Sequence, residues 1–167
     1  MFSTKSAGMK SQVELIESRE IEQFIPILRE IDFGDRFLLS MLHWCGIGRR
    51  ATPLDYWQVF LIQSVGETVG VCGLYRQPGM EKTTCWLGWF AIRPHMRRQG
   101  IGRAALQRLL AFAKKTGCQQ LLVYTGVADV GAIQFYQKLD FAVVGSAGQC
   151  ARGQTIDDSD IVLSRSI

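Results

Sequence analysis

The chain has 167 residues, of which 47% are hydrophobic and 20% charged, with a formal net charge of +4. That balance suits one globular domain able to bury a core without disulfides or metal, and the charge falls short of a dedicated nucleic-acid binder. Five scattered cysteines with no CxxC pair, and two distant histidines (His43 and His95), argue against a disulfide scaffold and a His-rich metal site. No stretch approaches the ~18 apolar residues of a membrane span. Residues 1–11 are polar and lack the apolar centre of a secretion signal. A loose tail over 1–11, one domain over 12–167 and a cytoplasmic location are the expectations.

A short strand over 13–16 comes first. Ser18 then caps a helix whose apolar positions, Ile21, Phe24, Ile25, Leu28 and Ile31, follow the helical period, with a kink expected at Pro26. Asp35 heads a second helix over 36–45, ended by Gly46 and Gly48, and 49–57 reads as loop. Strands over 58–63 and 68–75 meet at a turn around Gly66. Gln77-Pro78-Gly79 turns the chain into a longer strand over 83–92, which Pro94 stops. The stretch 101–116 is amphipathic: Ile101, Ala105, Leu109 and Phe112 form its buried stripe, Arg103, Gln107 and Lys114 its wet face. Gly117 ends it. A strand over 120–125, a helix over 130–138 and a strand over 141–145 follow. After the acidic run Asp157-Asp158-Ser159-Asp160 comes a last strand centred on 161–163.

Consecutive strands with short links pair antiparallel, whereas a crossover through the helix 101–116 makes its flanking strands parallel. The fold class is α/β (α+β): a mixed, mostly antiparallel twisted sheet of six or seven strands with helices on both faces.

The chemistry concentrates in Arg97, Arg98, Gln99, Gly100, Ile101, Gly102 and Arg103. Two glycines sit among arginines where a strand gives way to a helix. The start of a helix exposes N–H groups with no intrahelical partner, and its dipole adds partial positive charge. Glycines let that backbone approach a ligand closely, and arginines supply full charge. A phosphate suits such a place.

Three pieces together resemble the GNAT superfamily of acyl-CoA-dependent N-acetyltransferases. They are Phe90-Ala91-Ile92-Arg93-Pro94, the loop Arg97-x-x-Gly100-x-Gly102, and Asp129-x-x-Ala132-x-x-x-Tyr136-x-x-x-x-Phe141. The likeness covers roughly residues 58–146. It implies that the 97–103 loop wraps the pyrophosphate of acetyl-CoA with its main-chain N–H groups. It implies a strand, ending at Ile92, that splays from the strand 120–125 with the help of a bulge. Pantetheine would then bond to the exposed backbone of Phe90 and Ile92, across Ala91, as an extra strand would. An N–H near Phe90 would polarise the thioester carbonyl. Asp129 falls near the pantetheine, at a position where the family commonly has Asn. Tyr136 matches the tyrosine that protonates the departing thiolate.

Two departures stand out. The family's Gly-Phe is Asp140-Phe141 here, so Asp140 must enter the left-handed region. The strand 83–92 also carries no carboxylate to serve as base, leaving ordered water as the expected proton acceptor.

The resemblance implies an N-acetyltransferase acting by direct attack of an amine on acetyl-CoA in a ternary complex, with no protein nucleophile and no metal. The partner would be a small-molecule or peptide amine rather than nucleic acid or membrane, and a homodimer is an open option. A non-catalytic acyl-CoA-binding sensor or interaction module on the same scaffold is the reading from another class. Bland readings stand beside several residues: Tyr136 as a core aromatic, Asp129 as a helix cap, and Trp44, Trp57, Trp86 and Trp89 as packing. Asp32, Asp35, Asp55, Glu67 and Glu81 are each either an attractor for an ammonium group or a plain surface charge. Gly100-x-Gly102-x-x-Ala105 also fits a dinucleotide fingerprint, but no acidic residue follows about 20 positions on.

Overall fold

The computed structural model describes residues 12–31, 54–146 and 160–167. The tail over 1–11 and the expected helix over 36–45 lie outside them, as do Asp32, Asp35 and Trp44. Seven strands form one sheet: β1 (Val13–Glu17), β2 (Tyr56–Ser64), β3 (Glu67–Arg76), β4 (Thr84–Ile92), β5 (Gln120–Gly126), β6 (Ala142–Ser146) and β7 (Asp160–Ser166). Their order is β1-β2-β3-β4-β5-β7-β6. Every neighbouring pair is antiparallel except β4 and β5. The parallel pair falls where the crossover through α2 (Ile101–Lys115) requires it.

Alternation along the strands assigns side chains to two cores. On one face, Cys72, Leu74, Leu87, Leu121 and Leu163 meet Ile101, Ala105, Leu106 and Leu109 of α2 together with Tyr136 of α3 (Val130–Gln137). Ile101, Leu106 and Leu109 are fully buried, each contributing roughly 1.5–3 kcal/mol of apolar burial. On the other face, Val71, Tyr75, Trp86, Ala91 and Val162 meet Phe24, Ile27 and Leu28 of the segment containing α1 (Ile25–Glu30). Helices therefore cover both faces.

The first helical segment differs from its expected form. Ser18 accepts from the Glu20 N–H at 3.1 Å and starts a turn leading to a short 3-10 helix, Ile21–Gln23. The α-helix itself begins only at Ile25, with Pro26 in its first turn. A proline lacks the N–H that a helix interior needs and loses nothing in the first turn, so Pro26 starts this helix instead of kinking it. Asp160, the last residue of the acidic run, belongs to β7.

Two backbone positions shape the upper part of β4. Gly70 of β3 lies so close to this strand that a Cβ there would meet the Ala91 carbonyl oxygen at 2.3 Å. Trp89 adopts φ 55, a left-handed value at a bulky residue. The register explains it: Val71 pairs with Ala91 and Gly73 with Gly88, so Cys72 faces two residues, Trp89 and Phe90. The extra residue makes a bulge that bends and twists the strand.

Candidate active site

Below the bulge, β4 and β5 pair through Thr84, Cys85 and Trp86 against Gln120, Leu121 and Leu122. Above it no pairing joins them, and a split opens in the sheet. The main chain of β4 from Leu87 to Ile92 therefore has no β-ladder partner on its β5 side. Such an edge accepts an extended ligand as an added strand. Phe90, Ala91 and Ile92 stand on this edge. Phe90 and Ile92 point to the face carrying α2 and α3, and Ala91 points to the face carrying α1.

The chain leaves β4 through Arg93, passes a 3-10 turn at Pro94–Met96, and enters α2. Gly100 is the N-cap of α2 at φ 80, and its carbonyl accepts the first intrahelical bond, from the Ala104 N–H at 3.0 Å. A Cβ at Gly100 would meet nothing within 4 Å, so the glycine is required by its dihedral and not by crowding. No side chain caps this helix and its first turn contains no acid. Arg103 sits in that turn instead, with Arg97 and Arg98 just before it, all three exposed. Positive charge at a helix N-terminus opposes the dipole. An anion at that place reverses the sign of the interaction.

Arg97 is partly committed elsewhere: its Nε donates to the Ile92 carbonyl at 2.9 Å, holding the loop to the end of β4. Gln99 donates to the His95 carbonyl at 3.2 Å. Ile101 is buried in the core, so only its main chain is available to a ligand. Gly102 lies under Phe135, whose ring would contact an added Cβ at 3.6 Å. Phe135 in turn stacks on Phe90 at 5.8 Å. One aromatic of α3 thus ties the β4 edge to the start of α2. The sequence held no signal for Phe135 beyond its place beside Tyr136.

Asp129 caps α3, accepting the Ala132 N–H at 3.0 Å while remaining exposed. Tyr136 lies on the same helix but is buried, edge-on to Phe135 at 5.3 Å and 5.5 Å from Phe141. Burial, then the charge of Asp129 and the proximity of Cys72, push its hydroxyl well above the ordinary tyrosine value. The hydroxyl stays protonated throughout the neutral range. Asp140 reaches φ 62, the left-handed turn required of it, and its carboxylate lies 3.7 Å from Arg165, which also donates to the Leu139 carbonyl.

Arg93 is a brace that the sequence did not disclose. It faces Glu30 at the end of α1 and Glu67 at the start of β3, each at 3.5 Å, and its N–H bonds the Val69 carbonyl. Glu67 is therefore occupied by a cation of the chain itself. Asp55 and Glu81 sit at the bottoms of strands, away from the split. Among the described residues, no helix is long and apolar enough to cross a membrane.

A sheet split at its one parallel pair, with a basic, glycine-capped helix start at the mouth, defines a class of coenzyme-A-dependent acyltransferase folds. The family model for the acetyltransferase (GNAT) family matches residues 19–141, and the chain belongs to that family. N-acetyltransferase family 8 member 3 of Rattus norvegicus is 26% identical over 115 residues, covering 66% of this chain and 50% of the relative. N-acetyltransferase 8 of Homo sapiens is 26% identical over 93 residues, covering 54% and 41%. The chain spans about half the length of the curated relatives it matches. A GNAT family acetyltransferase from Elizabethkingia anophelis, solved with acetyl-CoA bound, superposes with a TM-score of 0.65 at 18% identity, covering 93% of this chain and 98% of the other. The ribosomal-protein-S18-alanine N-acetyltransferase of Escherichia coli gives 0.64 at 18% identity, with 94% coverage of each chain. These likenesses share the fold.

Proposed function

We propose that this chain is an acetyl-CoA-dependent N-acetyltransferase. The single observation that carries the donor assignment is the start of α2, where Gly100 at φ 80, the absence of any acidic cap and the basic residues Arg97, Arg98 and Arg103 coincide at the mouth of the split. A pyrophosphate there takes the free N–H groups of the first turn and neutralises the arginines. Gln99 and Ile101 contribute main chain, and Gly102 keeps the helix start close to Phe135. Pantetheine runs along the Phe90–Ile92 edge, beside the Asp129 cap, and brings the thioester into the split. Because Arg97 already holds the Ile92 carbonyl, the Phe90 main chain and the Ile92 N–H are the polar groups of that edge best suited to a ligand.

An amine attacks the thioester carbon directly, and the protein's main contribution is to hold both reactants in register. Tyr136 supplies an O–H to the departing sulfur. Its proton affinity exceeds that of an ordinary thiolate (pKa about 8.5), so its first contribution is a hydrogen bond. Complete transfer follows where the apolar cleft has raised the thiolate as well. The acceptor is a small molecule or a peptide amine, the working compartment is the cytoplasm, and the active unit is a monomer or homodimer.

Burial of Tyr136 favours a second reading, a non-catalytic acyl-CoA-binding module in which this tyrosine is core alone. Calorimetry with acetyl-CoA followed by an amine panel with thiol-release detection separates the two. Tyr136→Phe lowers kcat about 10- to 100-fold with donor affinity intact if the hydroxyl serves the leaving group. Turnover unchanged by this substitution removes Tyr136 from the chemistry, and failure of every amine supports the binding module.

A further inference from the structure

An amine acceptor arrives as an ammonium ion and must lose a proton before it attacks, yet β4 carries no carboxylate anywhere from Thr84 to Ile92. One face of the split is filled by α2, α3 and Tyr136. An acceptor that leaves these in place reaches the thioester from the other face, the one carrying α1. There, β4 contributes Trp86 and Trp89, β5 contributes Tyr124, and β7 begins with Asp160.

We infer that Asp160, standing over Gly126 beside Tyr124, is the carboxylate that receives the acceptor's ammonium group and takes its proton. The inference rests on the donor reading given above. Asp160 pairs with Gly126 across the β5–β7 ladder, and a Cβ on that glycine would lie 3.7 Å from the Asp160 Oδ1. The carboxylate thus leans over the last residue of β5, whose opposite edge is the split. Glycine leaves it uncovered by any β5 side chain at that point.

Two further observations mark the same spot. Tyr124 is only partly buried, and after burial the charge of Asp160 is the next cause raising its hydroxyl, so the two groups interact. Tyr124 also stands edge-on to Trp86 at 5.9 Å, so its ring is braced from below by a fully buried tryptophan. The partly buried rings of Tyr124 and Trp89 on this face, beside one carboxylate, suit a primary ammonium on an apolar stem, attracted by the charge and by the ring faces. In the step itself, one proton passes from the ammonium to Asp160 and then to solvent. The freed lone pair forms the C–N bond, and the C–S bond breaks with its electrons going to sulfur. The second proton lost from nitrogen replaces the one Tyr136 gives to that sulfur, so coenzyme A leaves as the thiol.

The test uses the full chain with acetyl-CoA and three probes: spermidine, a lysine-containing peptide and a peptide with a free N-terminal alanine. Turnover is read by thiol release, and binding of each amine to the CoA-loaded protein by calorimetry. Asp160→Asn is expected to lower kcat/KM by about 100-fold or more, the scale of lost acid–base catalysis, with CoA affinity unchanged and Asp160→Glu recovering part. Gly126→Ala, which adds a methyl at ordinary contact distance, is expected to raise KM several-fold while sparing kcat, and it decides the matter if Asp160→Asn fails to fold. An Asp160→Asn protein whose kcat/KM and amine binding stay within threefold of the parent overturns the assignment, as does a Gly126→Ala protein with parental KM. Amines that bind in an Asp160-dependent way without being acetylated uphold the ammonium site and overturn the transferase reading. Amines that neither bind nor react overturn both.

Discussion

Replacing Gly70 by alanine tests whether the exact course of β4 holds the donor. The new methyl would stand 2.3 Å from the Ala91 carbonyl oxygen and 2.9 Å from the Ile92 Cδ1. Carbon and oxygen ordinarily approach to about 3.3 Å, so the strands must part by about 1 Å at the residues proposed to hold pantetheine. Neither neighbour is a loose side-chain tip: one is backbone, and the other belongs to a buried isoleucine. Overpacking of this kind costs about 1–3 kcal/mol, which for a chain of this size lowers Tm by roughly 3–10 °C. A displacement near 1 Å also costs on the order of 100-fold in turnover when it reaches the reacting groups. Calorimetric Kd for CoA, kcat/KM for a responsive amine and thermal melting are measured side by side. Gly66→Ala is the control, since φ 80 strains an alanine there while nothing lies within 4 Å of its methyl. It should lose stability and keep the donor. If Gly70→Ala loses stability yet binds and turns over like the parent, the position of β4 is not what holds the donor, and pantetheine does not bind as an added strand.

Asp140→Gly should stabilise the fold by about 0.5–1 kcal/mol. It relieves a left-handed aspartate, while the pair it removes from Arg165 is exposed and worth little, and a fall in Tm would contradict this. Alkaline stability supplies another check. Tyr56, Tyr124 and Tyr136 are all pushed upward, chiefly by burial, so the folded state keeps protons that the unfolded chain releases near pH 10. Their contribution is complete below that pH and is lost as pH rises beyond it, by up to about 1.4 kcal/mol per unit for each group. Burial also pushes the Cys72 thiol up, so denaturant midpoints measured from pH 8 to 11 should begin to fall near pH 9 and fall more steeply above pH 10; a midpoint that rises above pH 10 would refute the sign.

The sheet was legible because its links are short and its one crossover long, which are properties of neighbours in sequence. Asp140 was legible for a related reason: a helix must stop before Phe141, and aspartate tolerates the turn. Pro26 was misplaced because the apolar period continues through it, so only the unpaired N–H of a first turn shows where the α-helix begins. A bulge in this strand was implied by the family resemblance alone, and no local residue marked Trp89 as its place. Left-handed backbone at a tryptophan runs against residue preference and is imposed by register with β3. On the donor side, glycines and arginines lie within seven residues of one another, so their pattern survives in one dimension. Arg93 with Glu30 and Glu67, Phe135 over Gly102, and Asp160 over Gly126 join residues far apart in the chain. Such pairings appear only once the strands are in order.

The seven strands amount to two antiparallel half-sheets, β1 to β4 and β5-β7-β6, fastened by the three-residue ladder between Thr84–Trp86 and Gln120–Leu122. Mechanically this is a peg with its spring at the closed end. The angle between the jaws is fixed at Cys85 and Leu121, below the bulge at Trp89, and each half is stiffened by its own antiparallel ladders. Small changes in side-chain volume at the spring are magnified along the strands into changes of jaw width. On the donor reading proposed above, substitutions at Cys85 or Leu121 are expected to change the tolerance for longer or shorter acyl chains from a distance.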